Sequence, residues 1–364
     1  MRVGTALVGL LPLVIGCAST PEGSGTVAGW SGVPNGYAEH FELQVRGDER
    51  RLLVFGPEGR KDTIGVYAYR TRASSAQRTP WPLYRVVALS TTHLPYFSAL
   101  GSEHMVVGAA HTDQLRDPTF LQALRNGTLM EVGLPDGVDA ERLIALTPQV
   151  VFDHPFGRKE RTSAADVPTI EVAEYLEVHP LGRAEWIRFF GMLLGREEQA
   201  DSIFAAIEHR YTVLRDMKQH LPDPPVVFFG SRWQGDWFAP PGNSYMATLI
   251  SDAGGRYVLA DTVADGNITI PLERVLLLGD RVDHFGVLLA DPGKVDRTVL
   301  TGGDRRLLAL KSMSSGAFVG NSAKDDLFGQ ALLEPDEVLR DLRCIFHPGS
   351  CGVRAPRYFR PVLQ

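Results

Sequence analysis

Two tryptophans, a phenylalanine and an arginine fall within eight residues, Ser231-Arg232-Trp233-Gln234-Gly235-Asp236-Trp237-Phe238. Indole faces stack on flat conjugated systems and a guanidinium attracts anions, so Arg232, Trp233 and Trp237 suit a flat aromatic ligand or an anionic chelate. The competing use is hydrophobic cover for a sheet edge. Three histidines, His93, His111 and His154, each lie a few residues beyond an apolar run. Three imidazoles can hold a divalent transition metal, whereas each alone reads as an ordinary loop histidine. No His-x-His or cysteine cluster strengthens the metal reading. Thr92, Tyr96 and Arg158 sit on the same segments. No Gly-x-Ser-x-Gly elbow, phosphate loop or His-Glu-x-x-His motif is present. Gly101 and Gly254-Gly255 close helices, which is not the order of a dinucleotide fingerprint. The chain is expected not to be an enzyme.

The elements that must position these residues alternate. Runs at 85–89, 105–108, 150–152 and 169–172 read as buried parallel strands. Ser90-Thr91-Thr92 caps a helix running to Leu100. Helical spacing of Trp186, Phe190, Leu193, Ile203, Ile207, Tyr211 and Leu214 marks residues 184–221. Gly195 breaks that stretch, and residues 196–220 would form a helix about 37 Å long at ~1.5 Å per residue. Strands at 226–229, 283–289 and 317–319, a helix opening at Tyr245 and a last helix at 334–342 repeat the plan. Before all this, residues 41–45, 51–55 and 64–69 alternate like short antiparallel strands. The fold class expected is α/β: two Rossmann-like lobes joined by a single long backbone helix, with a small N-terminal β extension.

A repeat links the halves. Glu141-Arg142-Leu143-Ile144-Ala145-Leu146 before Val150 matches Glu273-Arg274-Val275-Leu276-Leu277-Leu278 before Val282. Each copy reads as a short helix headed by an acidic residue and feeding a strand. Paired acidic knobs suit a two-fold partner, although carboxylates also favour helix N-termini for purely local reasons. At the chain start, Arg2, an apolar run at 3–15 and Val14-Ile15-Gly16-Cys17 are similar to a bacterial lipobox, with Cys17 the lipidated residue. An ordinary cleaved signal is the alternative. Cys344 and Cys351 are then an even pair, read as a disulfide or as two buried thiols. A net charge of −6 among 364 residues argues against nucleic acid as a partner. The expected division is signal 1–17, tether 18–36, β extension 37–83, first lobe 84–180, backbone helix 181–221, second lobe 222–350 and tail 351–364.

Several stretches between residues 84 and 350 resemble the substrate-binding proteins of ABC importers for iron–siderophore complexes, haem and vitamin B12. They are Arg85-Val86-Val87-Ala88-Leu89-Ser90 with Leu100-Gly101, the segment around Glu141 to Thr147-Pro148, Gly242-Asn243-Ser244-Tyr245 with Asp252-Ala253-Gly254-Gly255, and Pro335-Asp336-Glu337-Val338-Leu339 with His347-Pro348. The resemblance implies a monomer on the extracytoplasmic face of a membrane, tethered by lipid. Glu141 and Glu273 would meet arginines of an ABC permease dimer. The interlobe cleft would bind a metal-chelate small molecule, corrinoid or ferric siderophore, with Thr92, His93, Tyr96, His111, His154, Arg158, Arg232, Trp233 and Trp237 as its contacts. Haem is a further cargo, held axially by an imidazole or a tyrosine. No resident cofactor is implied. The zinc and manganese branch of the superfamily, using His93, His111 and His154, is the alternative.

Overall fold

The computed structural model describes residues 29–72, 81–134, 137–154, 167–221, 223–352 and 354–362. The signal segment with Cys17, and Arg158, lie outside them. No helix among the described residues is long and apolar enough to cross a membrane.

Strands β1 (Ser31–Val33), β2 (Phe41–Arg46), β3 (Glu49–Phe55) and β4 (Thr63–Arg70) form an antiparallel sheet in chain order. The first lobe follows with β5 (Val86–Ala88), α1 (Leu94–Ala99), β6 (Val106–Ala109), α2 (Pro118–Arg125), β7 (Met130–Glu131), a hairpin of β8 (Gly133–Leu134) and β9 (Gly137–Val138), α3 (Ala140–Leu146), β10 (Val150–Asp153) and β11 (Thr169–Glu171). Its sheet runs β11-β10-β5-β6-β7, all parallel. Strands β5, β6 and β10 are buried at every residue, as a sheet covered on both faces requires.

Helix α4 (Pro180–Leu194) is buried at most of its positions and belongs to the first lobe's core. It stops at Gly195, whose φ of 65° is the left-handed conformation of a helix C-cap. Gly191 lets the next helix approach, since a Cβ there would overlap that of Ala200. That next helix, α5 (Glu197–Asp216), with a 3-10 turn at Met217–His220, is the long connection to the second lobe. The range 181–221 therefore holds two helices, of which α5 makes the crossing.

The second lobe contains β12 (Val226–Trp233), β13 (Asp236–Ala239), α6 (Tyr245–Asp252), β14 (Arg256–Tyr257), β15 (Ile268–Ile270), α7 (Leu272–Leu276), β16 (His284–Leu289), α8 (Arg297–Thr301), α9 (Arg305–Leu308), α10 (Lys311–Ser315), β17 (Ala317–Asn321), α11 (Pro335–Phe346) and β18 (Phe359–Pro361). Strands β14, β12, β16 and β17 are parallel; β13, β15 and β18 are antiparallel additions. A disulfide joins Cys344, in the last turn of α11, to Cys351 in the segment that follows. The two repeat helices are α3 and α7, and Glu141 and Glu273 stand exposed in their first turns.

The N-terminal sheet is docked by buried carboxylates. Glu185 on α4, with a fully buried side chain, accepts the amides of Gly36, Tyr37 and Ala38, each at 2.8 Å. Glu177 accepts those of Glu39 and His40 and the indole N–H of Trp186. The tether expected over 18–36 thus ends early: Ser31–Val33 already pairs with β2, because the chain just beyond is fixed to α4. Tyr67 accepts the amide of Glu171, tying β4 to the edge strand β11. Replacing Glu185 by Ala orphans three amides and should lower stability in urea by about 3 kcal/mol, with amide exchange at residues 36–38 rising first. Unchanged unfolding and exchange would show that the extension docks without this carboxylate.

Candidate functional site

A cavity of about 300 Å³ lies between the lobes at the carboxyl ends of their strands, where an open α/β sheet receives ligands. The first lobe contributes Thr92 from the turn after β5, Glu174 and Tyr175 from the turn after β11, and Arg183 from the first turn of α4. The second lobe contributes an apolar wall that includes Phe229, Phe238, Tyr245, Leu288 and Phe328.

The polar end is built around a buried carboxyl. Thr92 Oγ1 donates to Glu174 Oε1 and shares a hydrogen bond with Ser90 Oγ at 2.8 Å. Burial raises the Glu174 pKa, and its Oε2 has no hydrogen-bond partner among the described residues. Arg183 is held in place by two main-chain carbonyls, Nε to Glu177 O at 3.1 Å and Nη2 to Tyr175 O at 3.0 Å. Its guanidinium lies over the Tyr245 ring, 4.2 Å from the centroid. It forms no salt bridge with a described residue. A cation set at one end of an apolar, aromatic pocket recognises an anion with an apolar body.

The tryptophan-rich segment is a hairpin, and its register separates the two indoles. Ser231 faces Phe238, Arg232 faces Trp237 and Trp233 faces Asp236 across β12 and β13. Cross-strand partners share a face and successive residues alternate. Phe229, Ser231 and Phe238 line the cavity, so Trp233 is on the cavity-facing side, beyond the rim, with 66% of its surface exposed. Trp237 and Arg232 take the opposite face. Trp237 is fully buried between Phe228 and Phe285, and Arg232 Nη1 donates to the carbonyl of Thr301 at 2.7 Å. Trp237 and Arg232 therefore do not serve the cleft as expected.

The other expected contacts divide similarly. His93 and Tyr96 are fully buried behind the cavity floor. Tyr96 stacks on Phe190 and donates to Arg183 O at 2.8 Å. Burial, reinforced by His154, pushes the His93 imidazole down to about 3. His111 is exposed in a left-handed turn, φ 59°. His154 lies half-buried, 3.3 Å from Asp153 and edge-on to Tyr175, and does not line the cavity. No group of three or more His, Cys, Asp or Glu side chains among the described residues is placed to hold a metal, so the three histidines do not assemble into a site. Thr92 alone of the expected first-lobe residues described here reaches the cavity. The first-lobe residues missed were Glu174, Tyr175 and Arg183, and the apolar wall of the second lobe was not named either. The first two follow the strand at 169–171, where the rule of searching beyond strand ends would have found them. Arg183 sits in a helical segment and gave no such signal.

One titration follows from Glu171, at the end of β11 just before the turn that lines the cavity. Burial, with the Asp153 carboxylate adding to it, lifts the Glu171 carboxyl from 4.5 to about 7. The group's contribution to stability is full below pH 4.5, where both states are protonated. It is lost as the pH rises to about 7, because the unfolded chain ionises first. Glu171→Gln should therefore gain stability relative to the parent between thermal melts at pH 4.5 and pH 8. An unchanged difference would mean that Glu171 titrates normally.

Comparison with known proteins accords with this architecture. A family model described as "Periplasmic binding protein" matches residues 86–278. An uncharacterized lipoprotein of Methanocaldococcus jannaschii is 24% identical over 339 residues, covering 89% of this chain and 79% of its own. Among solved structures, a periplasmic heme binding protein from Pseudomonas aeruginosa superposes with a TM-score of 0.59 at 20% identity, over 75% of this chain and 96% of that one. An ABC-type Fe3+-hydroxamate transport system protein from Saccharomonospora viridis gives 0.54 at 18%, over 72% and 93%. At these identities the structural likeness is one of fold.

Proposed function

The chain belongs to the periplasmic binding protein family, and from that premise we propose that it captures an anionic iron chelate, a ferric siderophore or haem, and delivers it to an ABC permease. It is a solute-binding protein and not an enzyme. The observation that carries the ligand reading is Arg183, a guanidinium at one end of an aromatic pocket that forms no salt bridge among the described residues and acts on the buried Glu174 carboxyl only through space. A carboxylate, catecholate or propionate group would be its counter-ion. The neutral periphery of a corrinoid suits that pairing less well. The cavity is at the small end of ligand sites. A chelate larger than the cavity would extend over the rim towards Trp233 and the half-exposed Phe328.

Titration of tryptophan fluorescence with hemin, ferric hydroxamate, ferric catecholate, cyanocobalamin and Zn²⁺ tests this. Saturable quenching by one anionic ferric chelate is expected, with Arg183→Met weakening it roughly tenfold or more. Saturation by cyanocobalamin with no effect of Arg183→Met would overturn the anion reading. Saturation by Zn²⁺ alone would replace it with the metal-ion alternative.

We also propose that α3 and α7 dock the permease through Glu141 and Glu273, with the chain tethered by a lipid on Cys17. The exposed carboxylates head equivalent short helices on the two lobes, and such charges orient a partner more than they add affinity. The double reversal Glu141→Arg with Glu273→Arg should leave chelate affinity unchanged and abolish uptake in cells. Uptake at the parental rate would end the docking assignment. In the same cells Cys17→Ser should shift the chain out of the membrane fraction, and retention there would remove the lipid.

A further inference from the structure

A second cavity, of about 510 Å³, opens on the second lobe beside α11 and the Cys344–Cys351 disulfide. Its walls are mainly apolar and include Leu214, Met217, Ile345, Pro356 and Phe359. Phe359 also lines the interlobe cleft, so its ring helps to divide the two spaces.

Charge within this cavity is unevenly matched. Arg340 and Arg354 both pair with Glu337. Asp341 turns Oδ2 to the amides of Arg357, Tyr358 and Phe359, at 2.6 to 3.1 Å. Arg343 is different. It is only 5% exposed, yet it has no carboxylate partner among the described residues. Nη1 donates to the carbonyl of Leu214 at 2.9 Å, and Nε has no hydrogen-bond partner among the described residues. A buried cation is ordinarily paired, because desolvation without a counter-charge is costly.

We infer that this cavity is a second binding site, separate from the cleft, for a monoanion with an apolar body, such as a medium-chain carboxylate. Arg343 supplies a buried positive charge that no described carboxylate pairs with, and the aliphatic and aromatic walls receive the chain.

Calorimetric titration of the purified full chain with octanoate, and with 1-octanol as the uncharged control, tests it. Octanoate should bind saturably at one site and octanol at least tenfold more weakly. Arg343→Met should remove the preference for the anion, while Arg343→Lys should keep part of it. The lysine variant keeps the test decisive if the methionine variant does not fold. Absence of octanoate binding, or equal affinity in the parent and in Arg343→Met, would overturn the proposal. So would loss of octanoate binding in Arg183→Met with retention in Arg343→Met, since the ligand would then belong to the cleft.

Discussion

The structure turns on α4, a helix enclosed by its neighbours that still carries charged side chains. A buried helix cannot leave such groups to water. Each therefore had to be met by something specific, and the meeting points define the molecule. Glu185 is met by three amides of the N-terminal segment, which makes that extension part of the first lobe's packing. Arg183, one turn in from the helix start, is met by two carbonyls and an aromatic face, and the remainder of its charge is directed to the cleft. Gly191 and Gly195 then allow α5 to pack against α4 and leave at a new angle.

The second constraint is the alternation of a β-hairpin. Trp233 and Trp237 have the same composition signal, and nothing in residue type separates them. Their fates diverge because a two-residue turn places Trp233 opposite Asp236, which sets Trp237 opposite Arg232. Face assignment follows from the register alone. One indole fills the core against Phe228 and Phe285, and the other projects over the cleft rim.

This shows how far the sequence could be read. The strand and helix alternation, the two lobes and the repeat helices were legible because parallel strands and amphipathic helices leave strong local periodicities. The position of the cleft was legible from topology, since ligands in such sheets sit beyond the strand ends. The side chains that face it were much less so. His93 directly follows Thr92, yet it turns into the core while Thr92 lines the cavity, and that choice is made by packing against Phe190. Arg183 was hidden because a charged residue in the first turn of a helix is common, and only the enclosure of α4 makes it exceptional.

Rigidity between the lobes follows from the same economy of polar contacts. Helix α5 is packed against α4 on one side and bound to the second lobe on the other. Tyr211 donates to Asp252 at 2.7 Å within the core, Arg210 pairs with Asp336, and Arg343 reaches the carbonyl of Leu214. A wide hinge would have to separate α5 either from α4 or from the second lobe, breaking the buried Tyr211–Asp252 bond in the second case. The groups at the cleft mouth are freer: Trp233 is 66% and Phe328 49% exposed. These rim side chains are therefore freer to move than the packed helices behind them.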